Sequence, residues 1–181
     1  MQLKLIFLAC FFICANCFAQ QYPFVQYTPR EGLVNNRAKF IFQDSKGKLY
    51  IATYGGLSIY DGTRFTNYTT NNGLSVDLIN DIVEMGEDSI WIISNDNYLH
   101  YIVHGELKNF RSSDNFIPLI NQLIKCSDGY YYAIADEGFF RLEGRRFVKI
   151  VLNGLRDSGT IRTLLQAVEI GKKIYILFNP D

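Results

Sequence analysis

The apolar positions fall in short runs separated by polar turn residues. Ala38 to Gln43, Leu49 to Thr53, Leu57 to Tyr60 and Arg64 to Thr69 are divided by Asp44-Ser45-Lys46-Gly47, Tyr54-Gly55-Gly56 and Asp61-Gly62. Runs of this length, bounded by Gly, Asn and Asp, read as strands joined by tight turns. Asp61-Gly62 is a hairpin pair, because Gly accepts the positive φ that such turns demand. Phe40-Ile41-Phe42 and Ile90-Trp91-Ile92-Ile93 lack polar alternation, as strands covered on both faces do. Ile161 to Ile170 has enough length for a short helix, but its place in the series is that of a first strand, and a strand is predicted there.

The series repeats. At a shift of 41, Gly32-Leu33 falls on Gly73-Leu74, Ile41 on Ile82, Tyr50 on Trp91 and Ile51 on Ile92. At 82, Ser45, Gly47, Tyr50, Gly56, Gly62, Arg64 and Phe65 match Ser127, Gly129, Tyr132, Gly138, Gly144, Arg146 and Phe147. Four antiparallel strands in about 40 residues form one blade of a β-propeller. The predicted fold is therefore all-β, a partial β-propeller of four-stranded antiparallel blades. Its units lie near residues 32–72, 73–113, 114–153 and, incompletely, 154–181. The second unit replaces the turn glycines by Ser94-Asn95-Asp96-Asn97, residues that also tolerate left-handed backbone. Gln21 to Tyr27, ahead of the first unit, is a candidate for the strand that closes a ring against a last blade.

The amino terminus follows another grammar. Lys4 precedes eleven consecutive apolar residues, Leu5 to Ala15, and Cys17-Phe18-Ala19 puts small residues at −3 and −1 of a cut before Gln20. Residues 1–19 read as a secretory signal peptide, and the run is shorter than the roughly 20 apolar residues a membrane span needs. Export is expected, and cleavage would leave 162 residues with Cys126 as the one cysteine. An internal disulfide is then impossible, and Cys126 with His100 and His104 cannot supply a thiolate metal site. Eighteen basic residues balance eighteen acidic ones, so no electrostatic footprint for nucleic acid exists. Aromatic residues make up 15% of the chain, which the repeat assigns mostly to packing between blades.

Gly32-Leu33, the strand from Phe40, the turn Asp44-Ser45-Lys46-Gly47, then Leu49-Tyr50-Ile51-Ala52-Thr53, Gly55-Gly56-Leu57 and Tyr60-Asp61-Gly62 together resemble the two-component regulator propeller repeat. Later units are degenerate but in register, and Trp91 stands where that family commonly has Trp and the first unit has Tyr50. The resemblance implies an extracytoplasmic, periplasmic sensor propeller of a sensor histidine kinase of the Bacteroidetes type. It also implies a small ligand, in many members a glycan or its fragments, and a possible homodimer in the intact receptor. No phosphoacceptor box, nucleotide-binding Gly motif or second apolar span occurs in the 181 residues. Kinase activity is therefore expected to belong to a longer parent that also carries the remaining blades.

Ligands of propellers usually sit where loops of several blades converge at one axial face. Tyr54-Gly55-Gly56, Asn95-Asp96-Asn97 and Asp136-Glu137-Gly138 occupy equivalent turns. Tyr54, Asp96, Asp136 and Glu137 are accordingly the candidate rim residues, one ring for stacking and three carboxylates for hydrogen bonds to a sugar. Catalytic residues, metal and cofactor are not expected. A glycan-active hydrolase or lyase is the alternative, although no unit carries a distinctive carboxylate doublet of the kind glycoside hydrolysis uses. A protein-interaction scaffold is a third reading.

Overall fold

The computed structural model describes residues 24–86, 88–152 and 164–178. The signal segment 1–19, the Gly154-Leu155 opening of the fourth unit and Ile161 to Thr163 lie outside them. Blade I contains β1 (Ala38–Gln43), β2 (Leu49–Thr53), β3 (Gly56–Tyr60) and β4 (Phe65–Tyr68). Blade II contains β5 (Ile79–Glu84), β6 (Ser89–Ser94), β7 (Leu99–Val103) and β8 (Glu106–Asn109). Blade III contains β9 (Ile120–Lys125), β10 (Tyr131–Ala135), β11 (Gly138–Glu143) and β12 (Arg146–Ile150). The fourth unit contributes the hairpin β13 (Leu164–Ile170) and β14 (Lys173–Phe178). Each four-stranded sheet runs in sequence order with antiparallel neighbours. The first strands of blades I to III begin at Ala38, Ile79 and Ile120, spaced by the period read from the sequence.

Burial is graded across a blade. The second strands β2, β6 and β10 are buried along almost their whole length, whereas the outer strand β4 is half-buried and β8 is largely open. The cause is sandwiching, since three apolar seams lie between consecutive units. Tyr50, Leu57, Ile82 and Ile92 build the seam between blades I and II. Trp91, Leu123, Phe140 and Phe147 build the next, and Tyr132, Ile134, Phe139 and Ala167 the third. The aromatic excess is only partly explained by these seams, because Tyr54, Tyr98, Phe116, Tyr130 and Tyr175 are exposed.

The turn after each first strand has the same hydrogen bond at 41-residue spacing: Asp44 N to Lys48 O, Met85 N to Ser89 O, Cys126 N to Tyr130 O. Gly47 at φ 84° and Gly129 at φ 87° supply its left-handed residue, and Asp88 at φ 64° does so in blade II. The carboxylate of Asp44 accepts from the amides of Lys46 (3.0 Å) and Lys48 (2.8 Å) and from the Tyr50 hydroxyl (3.1 Å). In blade III the position of Asp44 is Cys126, and Asp128 performs the task instead, accepting from Tyr130 N at 3.0 Å and the Tyr132 hydroxyl at 2.6 Å. In blade II, Trp91 donates its indole N–H to Ser89 Oγ at 3.0 Å.

Residues 24–27, the described part of the Gln21 to Tyr27 segment, carry no strand pairing with the described blades. The chain turns instead at Thr28, whose carbonyl accepts from Glu31 N and Leu33 N. The Tyr27 ring lies against Tyr60 and Phe65 at centroid distances of 5.1 and 5.5 Å. Val34 N donates to Ser58 Oγ (2.9 Å) and Asn67 Nδ2 to Gly32 O (2.9 Å), so this segment covers part of the blade I face turned away from blade II.

Candidate functional site

Neighbouring blades meet through the first strand of the following blade, β5, β9 and β13 packing against the first and second strands of the blade before, which places the first strands on the axial side. Each carries a β-bulge at the equivalent point, where Lys39, Asn80, Asn121 and Leu165 are the extra residues. A bulge re-aims one side chain and interrupts the ladder. Here it aims polar groups at the next blade. Lys39 Nζ donates to Ile79 O at 3.1 Å, and Asn80 Nδ2 donates to Ile120 O at 3.2 Å. The residue after the bulge answers an unpaired amide of the following first strand: Asp81 Oδ2 accepts from Leu123 N at 3.0 Å, and Gln122 Oε1 from Ala167 N at 2.7 Å. Phe40 holds this position in blade I and offers no acceptor, and Ile82 N is met by the Asp81 carboxylate of its own blade at 2.9 Å. Burial pushes the Asp81 carboxyl up to about 6, against the two amides that favour its charged form.

The turns between second and third strands lie at the same end as these bulges, since antiparallel pairing sets Ala38 opposite Thr53, Ile79 opposite Ser94 and Ile120 opposite Ala135. Tyr54, Asn95 and Asp136 donate their amides to Arg37 O, Leu78 O and Leu119 O in turn. The Tyr54 ring is exposed, with the Arg37 guanidinium 4.5 Å from its centroid. Asp96 accepts from Tyr98 N at 3.2 Å. Asp136 accepts from Asn121 Nδ2 at 2.8 Å, and Glu137 accepts from Leu119 N at 2.9 Å. All four candidates thus occupy one end of successive blades, and the three carboxylates each accept a hydrogen bond from the protein itself. The axial residues Lys39, Asn80, Asp81, Asn121 and Gln122 escaped the sequence reading. Their signal was polar residues interrupting first-strand runs, with Lys39, Asn80 and Asn121 spaced by 41.

Three further reactive side chains, His100, His104 and Cys126, lie outside the four rim candidates. His100 is buried on β7, where Nε2 accepts from Ser75 N at 3.1 Å and lies 2.7 Å from Ser75 Oγ. The backbone amide fixes Nε2 as acceptor, and burial holds the ring below its ordinary pKa. His104 is an exposed turn residue at φ 50°. Burial, reinforced by the charges of Glu169 and Asp128, pushes the Cys126 thiol up to about 11, away from nucleophilic chemistry. Among the described residues, no group of three or more His, Cys, Asp or Glu side chains is arranged to hold a metal ion.

At the opposite end, a cleft of about 350 Å³ opens between blades I and II. Tyr50, Ile59, Tyr68, Ile90 and Ile102 line its floor, with Asp44, Lys46, Lys48, Asp61, Arg64, Glu84 and Asp88 around it. A smaller counterpart of about 230 Å³ lies beside Cys126, Asp128, Glu169 and Lys172. None of the four sequence-derived candidates lines either space.

No protein-family model matches the sequence, and no curated protein is significantly similar to it. Solved structures do match. The extracellular domain of the hybrid two-component system BT4673 from B. thetaiotaomicron superposes with a TM-score of 0.65 at 21% identity, over 80% of this chain and 21% of that one. That of the hybrid two-component system BT3049 from the same organism gives 0.64 at 19% identity, over 89% of this chain and 23% of that one. A virginiamycin B lyase from Staphylococcus aureus gives 0.52 at 14% identity, over 80% of this chain and 56% of that one. The chain spans about a fifth of the length of the first two. Its fold is that of consecutive blades in the propeller-type extracellular domains of hybrid two-component systems, in agreement with the resemblance carried by its first repeat.

Proposed function

We propose that this chain forms part of the exported, ligand-sensing propeller of a two-component signalling receptor. The observation that carries the reading is the fold likeness to the extracellular domains of two hybrid two-component systems, joined to a signal-like amino terminus. The ligand is a small molecule, an oligosaccharide in the first instance. It docks at the bulged end of the blades, against Tyr54, Asp96, Asp136 and Glu137 and the axial Asn and Asp residues. Lone pairs left on Asp136 and Glu137, and the open face of Tyr54, provide acceptors and a stacking surface. Binding biases the packing of the propeller against a partner subunit, and its differential affinity for two arrangements sets the output of the receptor's kinase.

This chain performs no chemistry of its own in that scheme. The likeness to a lyase favours an enzymatic alternative, but the rim carboxylates are each engaged by an amide or amide side chain. The test uses the intact receptor with Tyr54→Ala, Asp96→Asn and Asp136→Asn combined. Oligosaccharide-dependent autophosphorylation should need at least tenfold more ligand in the variant. An unchanged response would remove the rim from the mechanism, and ligand-independent phosphorylation in the unsubstituted receptor would remove the sensing role.

A further inference from the structure

The cleft between blades I and II lies at the end remote from the rim, and the reading above gives it no task. We infer that it is a second binding site, for an uncharged saccharide of one or two rings that presents neighbouring hydroxyls.

Its origin is a single residue type. Trp91, in the position equivalent to Tyr50, turns its indole into the seam between blades II and III, stacked 5.8 Å from Tyr101 and packed 5.0 Å from Phe110. Tyr50 is smaller, and its hydroxyl is drawn to Asp44, so the corresponding volume above the floor of the first seam stays open. At about 350 Å³ it falls at the lower end of small-molecule sites, room for one or two sugar rings.

The walls select the ligand. Lys46 pairs with Asp88 across the two blades, and Arg64 pairs with Asp61 at 3.4 Å on the other side. In such a pair the cation donates to one hydroxyl while the carboxylate accepts from the next, which matches a vicinal diol. Four carboxylates, Asp44, Asp61, Glu84 and Asp88, stand with Lys46, Lys48, Arg64 and the imidazole of His104. An anion therefore meets the carboxylates and a cation meets the lysines, so a neutral ligand has the smallest electrostatic penalty. Below the polar wall, Ile59, Ile90, Ile102 and the Tyr68 ring offer an apolar surface to the C–H face of a pyranose.

The experiment titrates the full chain, or the receptor that contains it, by calorimetry with methyl glucoside, methyl mannoside, maltose and cellobiose up to about 10 mM. Glucuronate and glucosamine serve as charged controls. Two substitutions probe the cleft. Tyr50→Trp fills it as Trp91 fills its own seam, and Asp88→Asn removes one acceptor while keeping a residue that tolerates φ 64°. Saturable binding of a neutral sugar that weakens at least tenfold in both, and persists in the triple rim variant, supports the site. If Tyr50→Trp lowers the thermal midpoint, Asp88→Asn alone decides. Absence of saturation by every neutral probe, binding indifferent to the cleft substitutions, or tighter binding of a charged control overturns it. Binding lost in the rim variant but indifferent to both cleft substitutions overturns the cleft and leaves the rim reading standing.

Discussion

At the scale of single residues, two kinds of position control the structure: those that require glycine and those that bury a charge. Gly56 opens β3 at φ 116°, and a Cβ built there would lie 2.3 Å from Tyr68 O. That oxygen belongs to the backbone of β4, so the clash cannot be relieved by a side-chain rotation. Gly144 sits at φ 58° with nothing within 4 Å of such a Cβ. Gly144→Ala should lower unfolding free energy by about 1–2 kcal/mol, the usual left-handed penalty, whereas Gly56→Ala should abolish cooperative thermal unfolding. Equal effects in a melting experiment would contradict the turn assignment. Asp81 gives a pH prediction. Its folded pKa of about 6 exceeds the ordinary 3.8, so the native state holds a proton that the unfolded chain has released. Stability from this group therefore rises as pH falls through the window from 6 to 4. It is lost above 6, where the carboxylate must stay charged between two blades. His100 acts in the opposite sense, since its lowered pKa favours the native state above the ordinary value of 6.5 and withdraws that support on acidification. Comparison with Asp81→Asn isolates the first effect: the unfolding free energy of the unsubstituted protein relative to the variant should increase between pH 7 and pH 4.5. A flat difference would show that Asp81 is not enclosed as described.

Elements combine through the seams and the bulges. Ile92 on β6 and Phe140 on β11 are buried in different seams. Ile92→Ala should cost about 2–5 kcal/mol and Phe140→Ala about 3–5 kcal/mol, while Lys108→Ala on the outer strand β8 should stay within about 0.5 kcal/mol. Denaturant titration checks all three, and a costly Lys108→Ala would reverse the burial gradient across the blade. The strands were legible in the sequence because their turns recur at a fixed spacing with Gly, Asn or Asp at the left-handed position. Exchange of roles was not legible. Asp128 lies two positions beyond the equivalent of Asp44 and still receives the Tyr132 hydroxyl, a substitution that depends on turn geometry rather than on register. The bulges were hidden for a similar reason: a lone Lys or Asn in an apolar run signals an edge as readily as an extra residue, and only pairing with the neighbouring strand decides. The rim candidates were legible as equivalent turns, but their engagement with Asn121 and Leu119 follows from those bulges and so escaped notice.

For the whole molecule, the repeat produces a row of blades whose last described hairpin turns Val168, Ile170, Tyr175 and Leu177 away from blade III, each more than half exposed. A contiguous apolar face of this kind promotes association. Light scattering should show concentration-dependent self-association of this chain, reduced by Tyr175→Lys combined with Leu177→Lys, and a monomer at every concentration would contradict the exposure of that face. The same blades, at their bulged end, present the rim to which we assign the proposed sensing role. The most direct test of that role is calorimetric titration of the protein with oligosaccharides, accompanied by product analysis of the same mixtures. The account predicts saturable binding without turnover, weakened at least tenfold by the combined Tyr54→Ala, Asp96→Asn and Asp136→Asn substitutions. Turnover of the oligosaccharide, or binding that the three substitutions leave unchanged, would contradict it.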